Sequence, residues 1–436
     1  MKTVNDYSGA TDSDCIEAAF AGREGGVVCI PRRQSRIEPE RDWWQIDRAI
    51  LVPGDTTVIL RNCTIKLSDK CRDNFFRSAN CGLGIKEIEP LSDIHIIGQG
   101  HCELVGADHP RATGDSEKTL ERPCPKTKED KFRLKPAYIT REDFELCEKN
   151  GGFSFGVDHM FTYGTDAGKE GESQLGDWRN IGILLARVQR FSIENVRIVE
   201  PHAWAISLED CAHGRIEKID FQARMARVID GMEQNIENQD GIDLRNGCHD
   251  IIISDITGTT GDDVIALTAI NNFPAGHFHK GGALKSTHVM HSDYSRRDPN
   301  IHDVIIRNVA AYSAGGVCGM IRLLPIRSKI WNVVIDGVID TKPHAGQGFF
   351  LIGVHDCYGG SSEKGDIRHV VISNIVSNCD TLFAMSGYME DSSVSNVIMK
   401  NPDASYASYW PENLPDREHA FTNVLTNNIV KAQARR

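Results

Sequence analysis

"FSIENVRIVEPHAWAISLEDCAHGRIEKIDFQA" (191–223) says the same thing twice. Phe191, Ile193, Val196 and Ile198 sit around a polar break at Asn195. Ile216, Ile219 and Phe221 sit around an equivalent break at Lys218. Alternation with a period of two, interrupted by a turn residue, marks β-strands and not helices. The two breaks lie 23 positions apart.

The pattern recurs in "HDIIISDITG" (249–258), "HDVIIRNVAA" (302–311), "IWNVVIDGVI" (330–339), "RHVVISNIVS" (368–377) and "SSVSNVIMKN" (392–401). Asn374 and Asn396 are 22 positions apart. The 37 positions from Lys218 to Asp255 read as one coil with an insertion, and the 53 from Asp255 to Asn308 as two coils with an insertion. A fixed period carrying two or three strands implies a solenoid of β-coils. A helical solenoid would need 3.6 periodicity, and a β-sandwich has no reason to repeat one motif at coil-like intervals. The expected fold is all-β: a single-stranded right-handed parallel β-helix forming one domain over residues 1–436.

Three segments depart from the repeat. "DSDCIEAAFAGRE" (12–24) spaces Ile16, Ala19 and Phe20 as a helix does, with Asp12 or Ser13 as N-cap, and is expected to cover the open end of the stack. Residues 107–177 form a polar, charged insertion in which "REDFELCEKN" reads as a short helix around Phe144, Leu146 and Cys147. Residues 402–436 are expected as a tail packing on or beyond the last coils.

Of the 436 residues 40% are hydrophobic and 25% charged, which excludes disordered and collagen-like classes. The net charge of −12 argues against nucleic acid or an anionic membrane as partner, and no run of 18 apolar residues occurs. Thirteen cysteines, scattered and odd in number, suit reduced thiols better than a disulfide framework. With the first structural segment starting at Val4, leaving no room for a signal peptide, the expected location is the cytoplasm. A homo-oligomer is compatible with all of this.

The chemistry concentrates in "NQDGIDLRNGCHDIIISDITGTTGDDVIALTA" (238–269). Asp240 and Asp263 are 23 positions apart, one coil, so they are expected on neighbouring rungs ~4.8 Å apart with Asp262 beside both. Asp-Gly and Gly-Asp-Asp are also ordinary turn sequences. Their one-coil spacing is what separates a site from two turns. Three clustered carboxylates raise one another's pKa. Glycoside hydrolysis uses that asymmetry, with one carboxyl protonated for the leaving oxygen and another ionised to activate water.

On these residues the chain resembles the polygalacturonase-like glycosidases of glycoside hydrolase family 28, with a pectin-lyase-type β-helix. "DYSGATDSDCIEAAF…GGVVCIP" (6–31) is similar to their opening segment, "IHIIGQG" (94–100) to their G-x-G strand, and "EPHAWAISLEDC" (200–211) to the coil before the site. "NQDGID" and "GDD" match their acidic motifs. The resemblance implies Asp262 as general acid, Asp240 and Asp263 holding and activating water, inversion at the anomeric carbon with its wider carboxyl separation of ~6.5–9.5 Å, and no metal or other cofactor. It also locates two departures. The Gly-His-Gly motif is absent, and His277, His279, His288 and His291 are the histidines on offer. The Arg-x-Lys motif corresponds to Arg322-Leu323-Leu324, so the lysine is missing and a neutral sugar competes with a uronate.

The expected substrate-binding residues are Arg322, His202, Trp204, His288 and His291. His202 and Trp204 lie in the coil before Asp240, where a ring stacks on a sugar or packs between coils. His277-x-His279 and His288-x-x-His291 have metal-ligand spacing, but nothing supplies the surrounding context of a metal site and histidines in a polar loop are usually just solvated. The insertions 107–177 and 268–300 point to exo action on an oligosaccharide or polysaccharide. Two alternatives stand beside hydrolysis: a polysaccharide lyase with Arg322 as base and the aspartates around a hard cation, and a non-catalytic carbohydrate-binding β-helix.

Overall fold

Each sequence repeat closes one coil. In the computed structural model, residues 2–109, 177–271 and 297–433 are described, apart from 35–36, 72, 83–84, 86–87, 225, 230, 237, 316–318, 344–349, 355–362, 410–413 and 415. Two parallel sheets run from Val27 to Lys431, one of 14 strands and one of ten among the described residues. Each strand pairs with its counterpart one coil away. This is a right-handed parallel β-helix.

The turn residues of the repeat are the bends of the coil. Asn195, Lys218, Asp255, Asn308, Asn374 and Asn396 all have φ between +54° and +59°, the left-handed region in which Asn and Asp are tolerated best among residues with a Cβ. The asparagines also bond along the stack: Asn195 Nδ2 donates to the carbonyl of Gly98 (2.9 Å) and Asn396 Nδ2 to Asn374 Oδ1 (3.2 Å). Between bends, inward side chains stack in register. Ile193 faces Ile216, then Ile253, Ile306, Ile335 and Ile372, all fully buried. Each contributes roughly 1.5–3 kcal/mol of burial.

The pairing corrects one spacing. Ser254 faces Arg307 directly, so the 53 positions from Asp255 to Asn308 are one coil with a long insertion, not two. The 37 positions before them are one coil, as expected, and the antiparallel hairpin Ala226–Ile229/Met232–Asn235 falls within the insertion.

Helix Asp12–Ala21 covers the first coils with Ile16, Ala19 and Phe20 buried. Its N-cap is Thr11, not Asp12 or Ser13. Thr11 Oγ1 accepts the Asp14 N–H (3.2 Å) and Asp14 Oδ2 accepts the Thr11 N–H (2.9 Å), a capping box. Asp12 is instead buried against Arg33 and Arg41, and Ser13 Oγ accepts the Asp47 N–H (3.1 Å). At the C-terminal end the described residues belong to the last coils: Ser405–Tyr409 ends one sheet and Phe421–Lys431 the other. The body of the 107–177 insertion, including the helix expected at 141–150, lies outside the described residues.

Candidate active site

The acidic motifs occupy two successive turns, those leading into strands Ile242–Arg245 and Ile265–Ile270. Gly241 N donates to the carbonyl of Asp263 (2.9 Å) and Ile242 N to that of Val264 (3.0 Å), so Asp240 and Asp263 hold equivalent places on adjacent rungs. The turn of Asp262 hangs from Gln239, whose carbonyl accepts the N–H groups of Gly261 (2.9 Å) and Asp262 (3.3 Å). The glycine after Asp240 is a packing requirement: a Cβ on Gly241 would stand 2.4 Å from the Val264 carbonyl oxygen.

The side chains converge. One carboxylate oxygen from each of Asp240, Asp262 and Asp263 lies within 4.8 Å of the other two, closer than the ~6.5–9.5 Å expected between the carboxyls of an inverting pair. Asp240 and Asp263 are buried and Asp262 is partly exposed. Asp263 is held on both oxygens: Oδ1 accepts Gly319 N–H (2.9 Å) and Arg322 Nη2 (3.3 Å), and Oδ2 accepts Arg322 Nε. Asp262 Oδ1 accepts the N–H of Asp263 (2.9 Å), and the Thr260 hydroxyl donates to the carbonyl of Asp262 (2.6 Å). Asp240 Oδ1 is buried with no hydrogen-bond partner among the described residues. Burial, then the charges of Asp262, Asp243 and Asp263, push the Asp240 carboxyl well above the usual carboxylate range, against the pull of Arg322.

Asp243 is a fourth acid that the motif reading passed over. In strand Ile242–Arg245 the core takes Ile242 and Leu244, so Asp243 and Arg245 point to the outer face, where both are nonetheless buried. Asp243 lies in one column with Ser207 below and Ala266 and Arg322 above. Burial pushes its carboxyl well above the usual range, Arg245 opposes that, and Asp263 and Asp262 add to it. Strand parity alone was enough to find it.

Comparison with known proteins adds a likeness of fold. No protein-family model matches the chain, and no curated protein matches it in sequence. Among solved structures, a family 28 exopolygalacturonase of Yersinia enterocolitica is 11% identical with a TM-score of 0.43, covering 99% of this chain and 78% of that one. A mutant tailspike protein of E. coli bacteriophage HK620, in complex with hexasaccharide, is 11% identical at 0.49, covering 97% and 61%. The catalytic domain of a GH87 alpha-1,3-glucanase in complex with nigerose is 12% identical at 0.44, covering 98% and 65%. Overlaps this distant carry nothing about chemistry, and the fold rests on the strand pairing above.

The remaining expected residues separate. Arg322 joins the cluster through Asp263. Leu324, where the resemblance leads to a lysine, is buried in an apolar cluster on the outer face with Leu184, Trp204, Ile270 and Ile326. His202 is buried, and its Nε2 accepts the N–H of Ala107 (3.0 Å). Trp204 is also buried, with the Arg245 guanidinium 4.6 Å from its ring centroid. His277, His279, His288 and His291 lie outside the described residues, as do most of the two insertions behind the expectation of exo action. No helix among the described residues is long and apolar enough to cross a membrane.

Proposed function

We propose that the protein is a glycoside hydrolase of the family 28 type, acting on an oligosaccharide or polysaccharide. One observation carries the reading: three carboxylates within 4.8 Å of one another, one of them fixed by an arginine. Full ionisation of such a buried group is costly, so Asp240 and Asp262 share a proton. Asp262, the more accessible of the two, delivers it to the glycosidic oxygen as the bond to the anomeric carbon breaks. Asp263, oriented by Arg322 and Gly319, accepts a proton from the water whose oxygen attacks that carbon from the opposite face. Asp240 completes the water's hydrogen bonding. Chain residues supply each of these steps.

The compared tailspike and glucanase were solved with a hexasaccharide and with nigerose; a saccharide is the class we propose here on the carboxylate cluster. Arg322 is already engaged by Asp263, and position 324 is apolar, which favours a neutral sugar over a uronate. We place the protein in the cytoplasm on its thirteen cysteines; the nine among the described residues are buried free thiols.

A second reading comes from the same geometry. Three oxygens this close also suit a hard cation, as a lyase would use. A screen of aryl glycosides and of pectic, galactosyl and fructosyl oligosaccharides separates the two, with products followed by early NMR. Hydrolysis with inversion, unaffected by chelator, supports the hydrolase. A retained anomer would sink the mechanism, and an unsaturated, ultraviolet-absorbing product would identify a lyase.

A further inference from the structure

A cavity of about 340 Å³ opens near the helix-capped end of the molecule, a volume within the range of small-ligand sites. It stands on the same column of turns as the catalytic cluster. Asp47 follows strand Trp44–Ile46, Asp69 and Lys70 follow Thr64–Leu67, and Asp108 follows Glu103–Val105. Strand register carries that column onward: Ile46 faces Leu67, Lys66 faces Val105, Val105 faces Val199, Val199 faces Gln222 and Gln222 faces Thr259. The coil of Asp69 is therefore three rungs from that of Asp240 and four from that of Asp262. At the spacing of strands in a sheet these are ~14 and ~19 Å along the axis.

The walls are charged, with five carboxylates against three cations, and each carboxylate is already engaged. Lys66 Nζ is 2.7 Å from Asp108 and 5.6 Å from the centre of the Trp43 ring. Asp69 accepts the backbone N–H of His109 (2.9 Å) and contacts its ring Nδ1 (2.7 Å). Asp47 accepts the Ser68 hydroxyl, and Arg41 pairs with Asp12 and Glu38. A lone anion meets net negative charge here, and a lone cation finds the carboxylates already engaged. Vicinal hydroxyls, which donate and accept at once, meet carboxylate acceptors beside ammonium donors.

We propose that this cavity is a second saccharide-binding site, taking the distal part of the same chain whose bond is cleaved at Asp262. The proposal rests on the hydrolase reading for that last clause. It makes the substrate a chain of several sugar units laid along the turn column.

Calorimetric titration of the full-length Asp262→Asn protein tests it, with di- and octasaccharides of the galacturonate, galactose and glucose series as probes. The expected result is that the octasaccharide of one series binds at least about tenfold more tightly than its disaccharide, a gap of about 1.4 kcal/mol. Adding Asp69→Asn or Lys70→Ala should shrink that ratio to about twofold or less with the unfolding temperature unchanged. Affinity independent of length, cavity variants that bind the octasaccharide undiminished, or no binding by any series would overturn the proposal. The hydrolase reading fails separately: if the wild type cleaves none of these sugars yet binding remains dependent on length and cavity, the cavity assignment stands and the catalytic one falls.

Discussion

Gly241 donates its backbone N–H to the carbonyl oxygen of Asp263 at 2.9 Å. That bond is one rung of the parallel ladder, and it sets Asp240 directly beside Asp263. The geometry of the carboxylate cluster is thereby built from the solenoid's own repeat. Each carboxylate needs only the right residue at one turn position, and the stack supplies the distance.

Asp262→Asn should abolish most activity without loosening the fold. Its Oδ1 accepts the neighbouring N–H of Asp263 at 2.9 Å, and an amide oxygen can accept the same bond. Loss of general acid catalysis is expected to lower kcat by about 10²–10⁴-fold, with the unfolding midpoint in urea unchanged. A fully active Asp262→Asn protein would remove Asp262 from the mechanism.

Asp263→Ala should behave differently, because it is a structural partner as well. Removing it takes away the carboxylate that meets the nearly buried Arg322 guanidinium. Breaking a buried pair from one side costs about 3–5 kcal/mol. Activity and stability are expected to fall together, whereas Asp262→Asn separates them. Calorimetric unfolding of the two variants in parallel checks the contrast.

Much of this was legible in the sequence because the repeat is carried by special residues. The turn positions read from Asn195, Lys218, Asp255, Asn308, Asn374 and Asn396 are all left-handed bends, and only the left-handed conformation explains why small polar residues recur there. The 53-residue gap misled because an insertion of about a coil's length resembles a coil. Thr11 was hidden as N-cap by Asp12, an acid at a helix start whose side chain serves a buried ion pair with Arg33. Asp243 escaped because "DGID" was read for its first acid. His202 shows the limit of spacing: position in the coil places it near the site, but the Ala107 N–H that it accepts comes from a segment 95 positions away.

Lys218 is the one long basic side chain in that series of bends, with φ +56°. A residue with a Cβ and no local hydrogen bond to offer is strained in this region by roughly 1–2 kcal/mol. Its stack neighbours are Asn195 and Asp255. Lys218→Asn should therefore stabilise the protein by about 1 kcal/mol, read as a higher urea midpoint at constant slope. An unchanged or lower midpoint would mean that the bend is not a strained position.

The buried acids should make stability fall as pH rises. Asp240 and Asp243 have carboxyls pushed well above 3.8, chiefly by burial. A carboxyl whose folded pKa is raised holds its proton more tightly in the folded state, so its contribution is fully present below the unfolded value. It is lost progressively as pH climbs from about 4 through the raised pKa. Asp243→Asn abolishes that titration while keeping the shape. At pH 4 the variant and the wild type should unfold at similar temperatures. At pH 7 the variant should be more stable by about 0.5–2 kcal/mol, the usual size of a stabilising substitution. Thermal unfolding across this range measures the difference directly. A wild type that gains stability with pH relative to Asp243→Asn would reverse the sign and show that the carboxylate, not the acid, is the form the fold prefers.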